Sequence, residues 1–260
     1  MPKRPINAAN DQDKDERYRA PALDKGLDIL ELLSEQPGGL TRAEIVKAMG
    51  RGPSEVYRML ERLVARDYVS RSPEGDRYAL TMKLFILAHR HPPVRRLVAR
   101  ALPLMDAFAS EAGQSCHLVV PEGGAALVVA HASCPGNWEF GIRIGAHIEL
   151  LTTSSGHILL AFLDEQAQSE LAMRWEGTKQ AEARDRLEPV LKAYREAGHR
   201  VGPSQQMRAI EDISVPILSP DGYAIAVLTC PYIQRLDDKQ ADIDQTLLLL
   251  KDVAAKLSLS

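Results

Sequence analysis

The hydrophobic positions of the chain change their period once, and that change divides it. From Ala22 onward apolar residues recur at helical spacing, first as Leu23, Leu27, Leu30 and Leu33 in "ALDKGLDILELLSEQPGG", until Pro37-Gly38-Gly39 stops the run. "LTRAEIVKAMG" follows as a second helix with Ile45, Val46 and Met49 on its apolar side. Thr41 stands at its start and Glu44 three residues later, the spacing of a capping box in which each satisfies the other's backbone N–H. A third helix, "PSEVYRMLERLVARD", opens on Pro53, tolerated in a first turn, and carries Val56, Met59, Leu60, Leu63 and Val64 as its buried stripe. Two strand-like segments, "YVSRS" and "RYALT", then flank a turn at Glu74-Gly75-Asp76. Three short helices closed by a hairpin predict a winged helix-turn-helix over residues 20–82.

The next stretch, "TMKLFILAHRHPPVRRLVARALPLMDAFASEAG", is helical in pattern and broken at His91-Pro92-Pro93, so a helical linker is expected over 83–103. After Gly113 the period falls to two. "SCHLVVP" and "AALVVAHA" flank a turn at Glu122-Gly123-Gly124, and "NWEFGIRIG" reads as a further strand. A helix from about Ser155 to Phe162 and further helices to Ala197 precede the strands "HRVGPS", "RAIEDISVPILS" and "YAIAVLTCPY". A terminal helix from Asp237 to Leu257 closes the chain. This order predicts a second domain at 104–260 and an α+β class, with helices on one side of a sheet. Residues 1–19 are polar, lack the apolar stretch of a secretory signal, and read as a disordered leader.

Charge sharpens the division. The first hundred residues hold 19 Lys and Arg against 14 Asp and Glu, and the remainder holds 13 against 21, so the net charge of −3 conceals +5 joined to −8. A basic first part on an acidic second part suggests a reader of a polyanion carrying a different module. No run of about 18 apolar residues is present, so no membrane span is expected. The three cysteines, Cys116, Cys134 and Cys230, cannot all pair and none sits in a CxxC. A disulfide framework, a structural zinc site and any other cofactor are therefore not expected, and a reducing cytoplasm is the expected location.

A recognition helix reads the major groove of double-stranded DNA with its early, exposed positions. In the third helix and the turn before it these are Arg51, Ser54, Glu55, Tyr57 and Arg58. Arginine forks onto guanine or phosphate, and Ser and Tyr donate to phosphate or base edges. Arg62 points one turn further along, towards backbone, and Arg71 and Arg77 flank the wing tip. Thr41 and Arg42 offer a hydroxyl, an amide and a guanidinium to a phosphate. The competing reading is a small protein-binding helical domain with ordinary surface arginines. Between 41 and 77 eight Lys and Arg face six Asp and Glu. So modest an excess calls for two copies on the DNA.

Here the text becomes specific. "KGLDILELLSEQPGGLTRAEIVKAMG" followed by "SEVYRMLERLVARDYVSRSPEGDRYALTMKLFILA" resembles the DNA-binding half of IclR-type bacterial transcription regulators. The likeness runs from about 20 to 257, through "IGAHIELLTTSSGHILLAFL", "YREAGHRV" and "ISVPILSPDGYAIAVLTC". It departs at Thr81, where the family usually has glycine, and in "SQQMRAIEDISVPI", where the family often has Glu and Gly. The resemblance implies a GAF-like effector domain, a homodimer or homotetramer, an operator as partner, and an effector pocket bordered by the 151–156 loop. "LLTTSSGHILLAF" also resembles members that control aromatic-acid catabolism, which implies a small organic acid as effector.

Within that loop, Thr152, Thr153, Ser154 and Ser155, followed by Gly156, supply more hydroxyls than one helix cap needs. Two readings stand: a cradle in which hydroxyls, unpaired amides and the helix dipole take a carboxylate, or a plain cap with incidental polarity. Trp138, Phe140, Leu151, Met207, Ile213 and Cys230 are candidate pocket walls, each equally a core residue, and Arg143 is a candidate counter-charge. A nucleophile is disfavoured. "TSSGH" lacks the G-x-S-x-G elbow, and Cys116 and His117, neighbours on a strand, point to opposite faces. The chain is expected not to be an enzyme.

Overall fold

A computed structural model describes residues 20–73, 75–89, 92–136, 140–234 and 240–258. The leader expected at 1–19, Glu74 of the expected turn, and Trp138 lie outside the described residues. The chain separates into two compact units, 1–91 and 92–260. No described helix is long and apolar enough to cross a membrane.

The first unit begins with α1 (Pro21–Ser34), β1 (Leu40–Thr41), α2 (Arg42–Met49) and α3 (Pro53–Ala65), and continues with β2 (Val69–Arg71), β3 (Arg77–Leu80) and α4 (Lys83–His89). The capping box forms as its spacing predicts: Glu44 N–H donates to Thr41 Oγ1 at 3.3 Å, and Thr41 N–H donates to the Glu44 carboxylate at 2.8 Å. Ile29, Leu33, Ile45, Val56, Leu60, Val69 and Tyr78 close one core. The later half of the α1 leucine pattern is borne out: Leu33 is buried in the core and Leu30 packs against it. Leu23 and Leu27 are exposed while Ile29 and Leu33 are buried, so only the later turns of α1 are packed. The hairpin gains a third strand, in the order β1-β3-β2, because Leu40 and Thr41 pair with Tyr78 and Arg77. Gly39 permits this approach: its φ is +65°, and a Cβ there would lie 2.6 Å from the Tyr78 carbonyl oxygen. Thr81, at the family's glycine position, takes a structural role. Its hydroxyl donates to the Asp67 carbonyl and accepts from Lys83 N–H at 3.2 Å, at the start of α4.

The second unit holds α5 (Pro92–Ala112), β4 (Cys116–Glu122), β5 (Ala125–Ala132), β6 (His147–Ile148), α6 (Ser154–Ala161), α7 (Glu165–Trp175) and α8 (Lys179–Ala197). β7 (Arg200–Pro203), β8 (Glu211–Leu218), β9 (Ala224–Tyr232) and α9 (Ile243–Ser258) complete it. Six antiparallel strands lie in the order β6-β5-β4-β9-β8-β7. Helices cover both faces, not one. Met105, Phe108 and Ala109 of α5 and Leu250 and Val253 of α9 pack with one face; Ile158 and Leu159 of α6, Leu171 of α7 and Leu191 of α8 pack with the other. The nearly continuous buried runs of β4, β8 and β9 are the signature of a sheet covered twice, where strict alternation marks a half-exposed one. "NWEFGIRIG" is also corrected. Its described residues, 140–145, form a loop without ladder pairing, and only His147 and Ile148 enter the sheet. The terminal helix begins at Ile243, later than the pattern suggested.

Candidate functional site

In the first unit the predicted groove-facing residues fall into two sets. Arg51 pairs with Asp28 at 3.3 Å and Glu55 with Lys25 at 3.1 Å, both partners being on α1. The Arg42 guanidinium lies over the Tyr57 ring, 5.5 Å from its centre, joining α2 to α3. Arg71 donates to the Gly75 carbonyl at 2.7 Å and covers the Tyr78 ring; Arg77 donates to the Gly39 carbonyl at 3.0 Å. These contacts orient the wing and the helix ends. Ser54, Arg58 and Arg62 project from α3 into solvent, their side chains without partners among the described residues. Thr41 is committed to its cap.

In the second unit the sheet register assembles a polar row that no local motif announces. His131 pairs with His117, His117 with Thr229, Thr229 with Ser214 and Ser214 with Arg200, so one line of polar residues crosses β5, β4, β9, β8 and β7. His117, Thr229, Ser214 and Arg200 are all buried. The start of α6 sits against this row. Thr153 caps the helix, its hydroxyl accepting from Gly156 N–H at 3.0 Å and donating to the Glu149 carbonyl at 2.6 Å. Gly156 is required by packing: a Cβ there would lie 2.5 Å from the Leu150 backbone.

The hydroxyls above the row form a directed chain. Ser214 Oγ donates to Ser154 Oγ at 3.0 Å, and Arg200 donates to the same oxygen at 2.6 Å. Ser214 has then spent its proton, so in its 2.8 Å contact with Thr229 Oγ1 it accepts. Thr229 in turn accepts from Ser155 Oγ, also at 2.8 Å. Ser154 accepts twice, which leaves its own O–H without an acceptor among the described residues. Arg200 also donates to the Pro203 carbonyl at 2.8 Å, its Nε has no partner, and it forms no ion pair among the described residues. The Asp212 carboxyl feels this charge without forming an ion pair with it, and a buried guanidinium in no ion pair is costly unless an anion compensates it.

Beside this chain lies a cavity of about 630 Å³, within the range of small-ligand sites. Its floor is His117, Asp212, Thr229 and Pro231; one wall is Thr153, Ser154 and Ser155; the rest comes from Phe140, Ile142, Arg143, Met207 and Gln206. Gln206 is tied across by donating to the Thr152 carbonyl at 2.9 Å. Burial first, then the neighbouring His131, pushes the His117 imidazole down to about 3, so it is neutral. Burial raises the Asp212 carboxyl above its usual value, against the opposing effects of Ser204 and Arg200. Arg200 is not itself a lining residue and reaches the cavity through Ser154; a larger groove along 203–211 shares Ser204, Gln206 and Met207.

Several expected wall residues are elsewhere. Ile213 and Cys230 pair with each other but face α5 and α9, on the far side of the sheet from the cavity. With a period of two, their neighbours Asp212, Ser214 and Thr229 take the cavity side. Leu151 packs with the α6 core, its carbonyl bonded to the His157 ring at 3.0 Å, and the Thr152 hydroxyl donates to Glu149. Arg200, His117, Asp212, Ser214 and Thr229 were not among the expected residues. Their signal was a polar residue set within an apolar run, as Ser214 in "EDISVPIL" and Thr229 in "AIAVLTCPY". A nucleophile is not assembled here. Cys116 lies in the core away from His117, its thiol pushed up by burial, and Ser154 is held by Arg200 instead of a histidine.

A winged helix with free arginines on its third helix, followed by a sheet domain around a walled polar cavity, is the organisation of a ligand-responsive DNA-binding regulator. Comparison with known proteins narrows the class. The family described as bacterial transcriptional regulator IclR C-terminal matches residues 93–259, and the IclR helix-turn-helix domain matches residues 22–73. The chain belongs to the IclR family of bacterial transcriptional regulators. It is similar to the HTH-type transcriptional regulator XynR of Escherichia coli, at 25% identity over 84% of this chain and 89% of that protein. It is likewise similar to KdgR of the same organism, at 26% identity over 88% of each. Its fold matches the crystal structure of an IclR homolog complexed with 4-hydroxybenzoate from Microbacterium hydrocarbonoxydans. The TM-score is 0.71 over 91% of this chain and 97% of that one, at 24% identity.

Proposed function

We propose that this regulator binds an operator through two or more copies of its winged helix, and that a small aromatic acid in the sheet domain shifts that binding. The observation that carries the reading is the Arg200–Ser154 pair. A buried guanidinium that forms no ion pair among the described residues donates to a hydroxyl that lines the cavity, at the positive end of α6. A ligand carboxylate supplies an acceptor for the Ser154 hydroxyl and a paired charge for Arg200. Phe140, Ile142 and Met207 offer the apolar walls for a ring. The 4-hydroxybenzoate held by the structural relative belongs to the same chemical class.

On the DNA side, Arg58 and Ser54 read base edges, Arg62 contacts backbone, and Thr41, Arg42, Arg51, Glu55, Tyr57, Arg71 and Arg77 orient the helix and wing against phosphates. Two copies are needed because a single domain's charge excess is small, and α4 offers a surface for pairing. Leu84, Phe85, Ile86 and Leu87 are four consecutive large apolar residues, each at least 40% exposed. A homodimer, or a homotetramer built from two, follows, and the cytoplasm is where it works. The acid acts only through its differential affinity for the two DNA-domain arrangements.

The test is a gel shift with DNA from upstream of this gene and its neighbours, against scrambled competitor at about 150 mM salt, where non-specific phosphate binding is weak. A competitor-resistant shift that 4-hydroxybenzoate alters is expected. A shift abolished equally by scrambled DNA contradicts the operator reading. A specific shift that no aromatic acid alters contradicts the effector reading.

A further inference from the structure

His117 is a second recognition element in the same cavity. It lines the floor at 1% exposure, and neither ring nitrogen has a hydrogen-bond partner among the described residues. A neutral imidazole has one N–H to give and one lone pair to fill, and leaving both unmet in the interior is costly. The Thr229 hydroxyl, one strand away, is consumed by Ser155 and Ser214. A group that donates and accepts at one atom answers both needs, and a hydroxyl is such a group.

Its distance from the carboxylate end follows from the register. Ser154 and Ser155 are bonded to Ser214 and Thr229, and His117 lies one strand beyond Thr229 and two beyond Ser214. With strands 4.7–4.9 Å apart, the two recognition points are on the order of 5–10 Å from each other. A hydroxyl adjacent to the carboxylate does not reach, whereas one across a six-membered ring does.

We infer that His117 is a specificity-determining residue that reads a hydroxyl on the far side of the bound acid from its carboxylate. The inference rests on the carboxylate reading of the Arg200–Ser154 end, and the test separates the two. The full chain is titrated calorimetrically with benzoate, 2-hydroxybenzoate and 4-hydroxybenzoate, as wild type, His117→Phe and His117→Gln. Wild type is expected to bind 4-hydroxybenzoate about tenfold or more tightly than the other two, because a site built for a hydroxyl rejects an analogue lacking it. His117→Phe is expected to reduce that ratio below about threefold, and His117→Gln, which keeps a donor and an acceptor, to retain most of it. Three acids bound equally by wild type, or a ratio unchanged in His117→Phe, overturns the role of His117 and leaves the carboxylate reading standing. No binding of any acid by folded wild type overturns the carboxylate reading and this inference with it.

Discussion

The two units handle cationic side chains in opposite ways. In the winged helix the arginines are exposed; Arg51 and Arg77 lean on carboxylates, Arg42 and Arg71 on aromatic rings, and Arg58 and Arg62 have no side-chain partner among the described residues. Solvent screens them, so they cost little to keep and act by steering and contact. In the sheet domain Arg200 is buried at 5% exposure and bonded to a hydroxyl and backbone carbonyls; it forms no ion pair among the described residues, and the Asp212 carboxyl within its electrostatic reach is pushed towards its neutral form by burial. The first arrangement suits a large polyanion met at the surface. The second suits a small anion drawn out of water, whose binding energy the domain can use to favour one arrangement over another.

The sharpest way to break this comparison is to disturb one unit and watch the other. Gly156→Ala forces a methyl into the Leu150 backbone, which α6 cannot relieve without moving off the polar row. A loss of about 3 kcal/mol or more is expected. Differential scanning calorimetry should show the sheet-domain transition falling while the winged-helix transition holds; a common shift of both would mean that the units do not unfold separately. A smaller effect is expected from the opposite side. Arg58→Ala should weaken operator binding by roughly 1–3 kcal/mol and relax the preference over scrambled DNA, with the heat of 4-hydroxybenzoate binding unchanged. Equal loss on operator and scrambled DNA would make Arg58 a phosphate contact only.

The smallest effect separates the units by pH. His117 titrates near 6.5 when unfolded but is held down to about 3 in the fold. Between those values the unfolded chain binds the extra proton, so stability from this group is full above about 6.5 and is lost as pH falls towards 3. Asp212, raised in the fold, works the other way: its contribution is present at low pH and is lost as pH rises above its unfolded value. The stability of the sheet domain should therefore fall between pH 7 and pH 5 by an amount on the order of 1 kcal/mol, read as a lower melting temperature, and His117→Phe should flatten the decline. A slope unchanged by the substitution would assign the titration elsewhere.

What could be read along the chain follows the same division. Capping box, first-turn proline and hairpin are rules of a few neighbouring residues, and the winged helix is built from them, so its elements and exposed α3 residues were legible. The extent of the α1 stripe was not, because Leu30 and Leu33 are covered and Leu23 and Leu27 left exposed by where the other elements pack. In the sheet domain the hydroxyl cluster at the start of α6 stood out in the text, but its partner Arg200 lies 46 residues away. Only the register of four strands brings Arg200, Ser214, Thr229 and His117 into one line. The same cause misplaced Ile213 and Cys230: their strands were recognised, but which side of a doubly covered sheet faces the cavity is a matter of one residue's phase. The "NWEFGIRIG" strand failed for a different reason. Gly141 lies against His131, where a Cβ would come within 2.2 Å of the ring, and Gly145 turns with φ +85°, so the segment wraps the cavity instead of pairing.

The central claim is that the buried cation of one unit governs the DNA affinity of the other. Fluorescence anisotropy of a labelled operator fragment, titrated with protein with and without saturating 4-hydroxybenzoate, measures this directly for wild type and for Arg200→Met. Wild type is expected to change its midpoint by about tenfold, in the range typical of coupling between two sites, and folded Arg200→Met to bind the operator with the acid-dependent change removed. An acid-dependent shift of undiminished size in Arg200→Met would contradict the account.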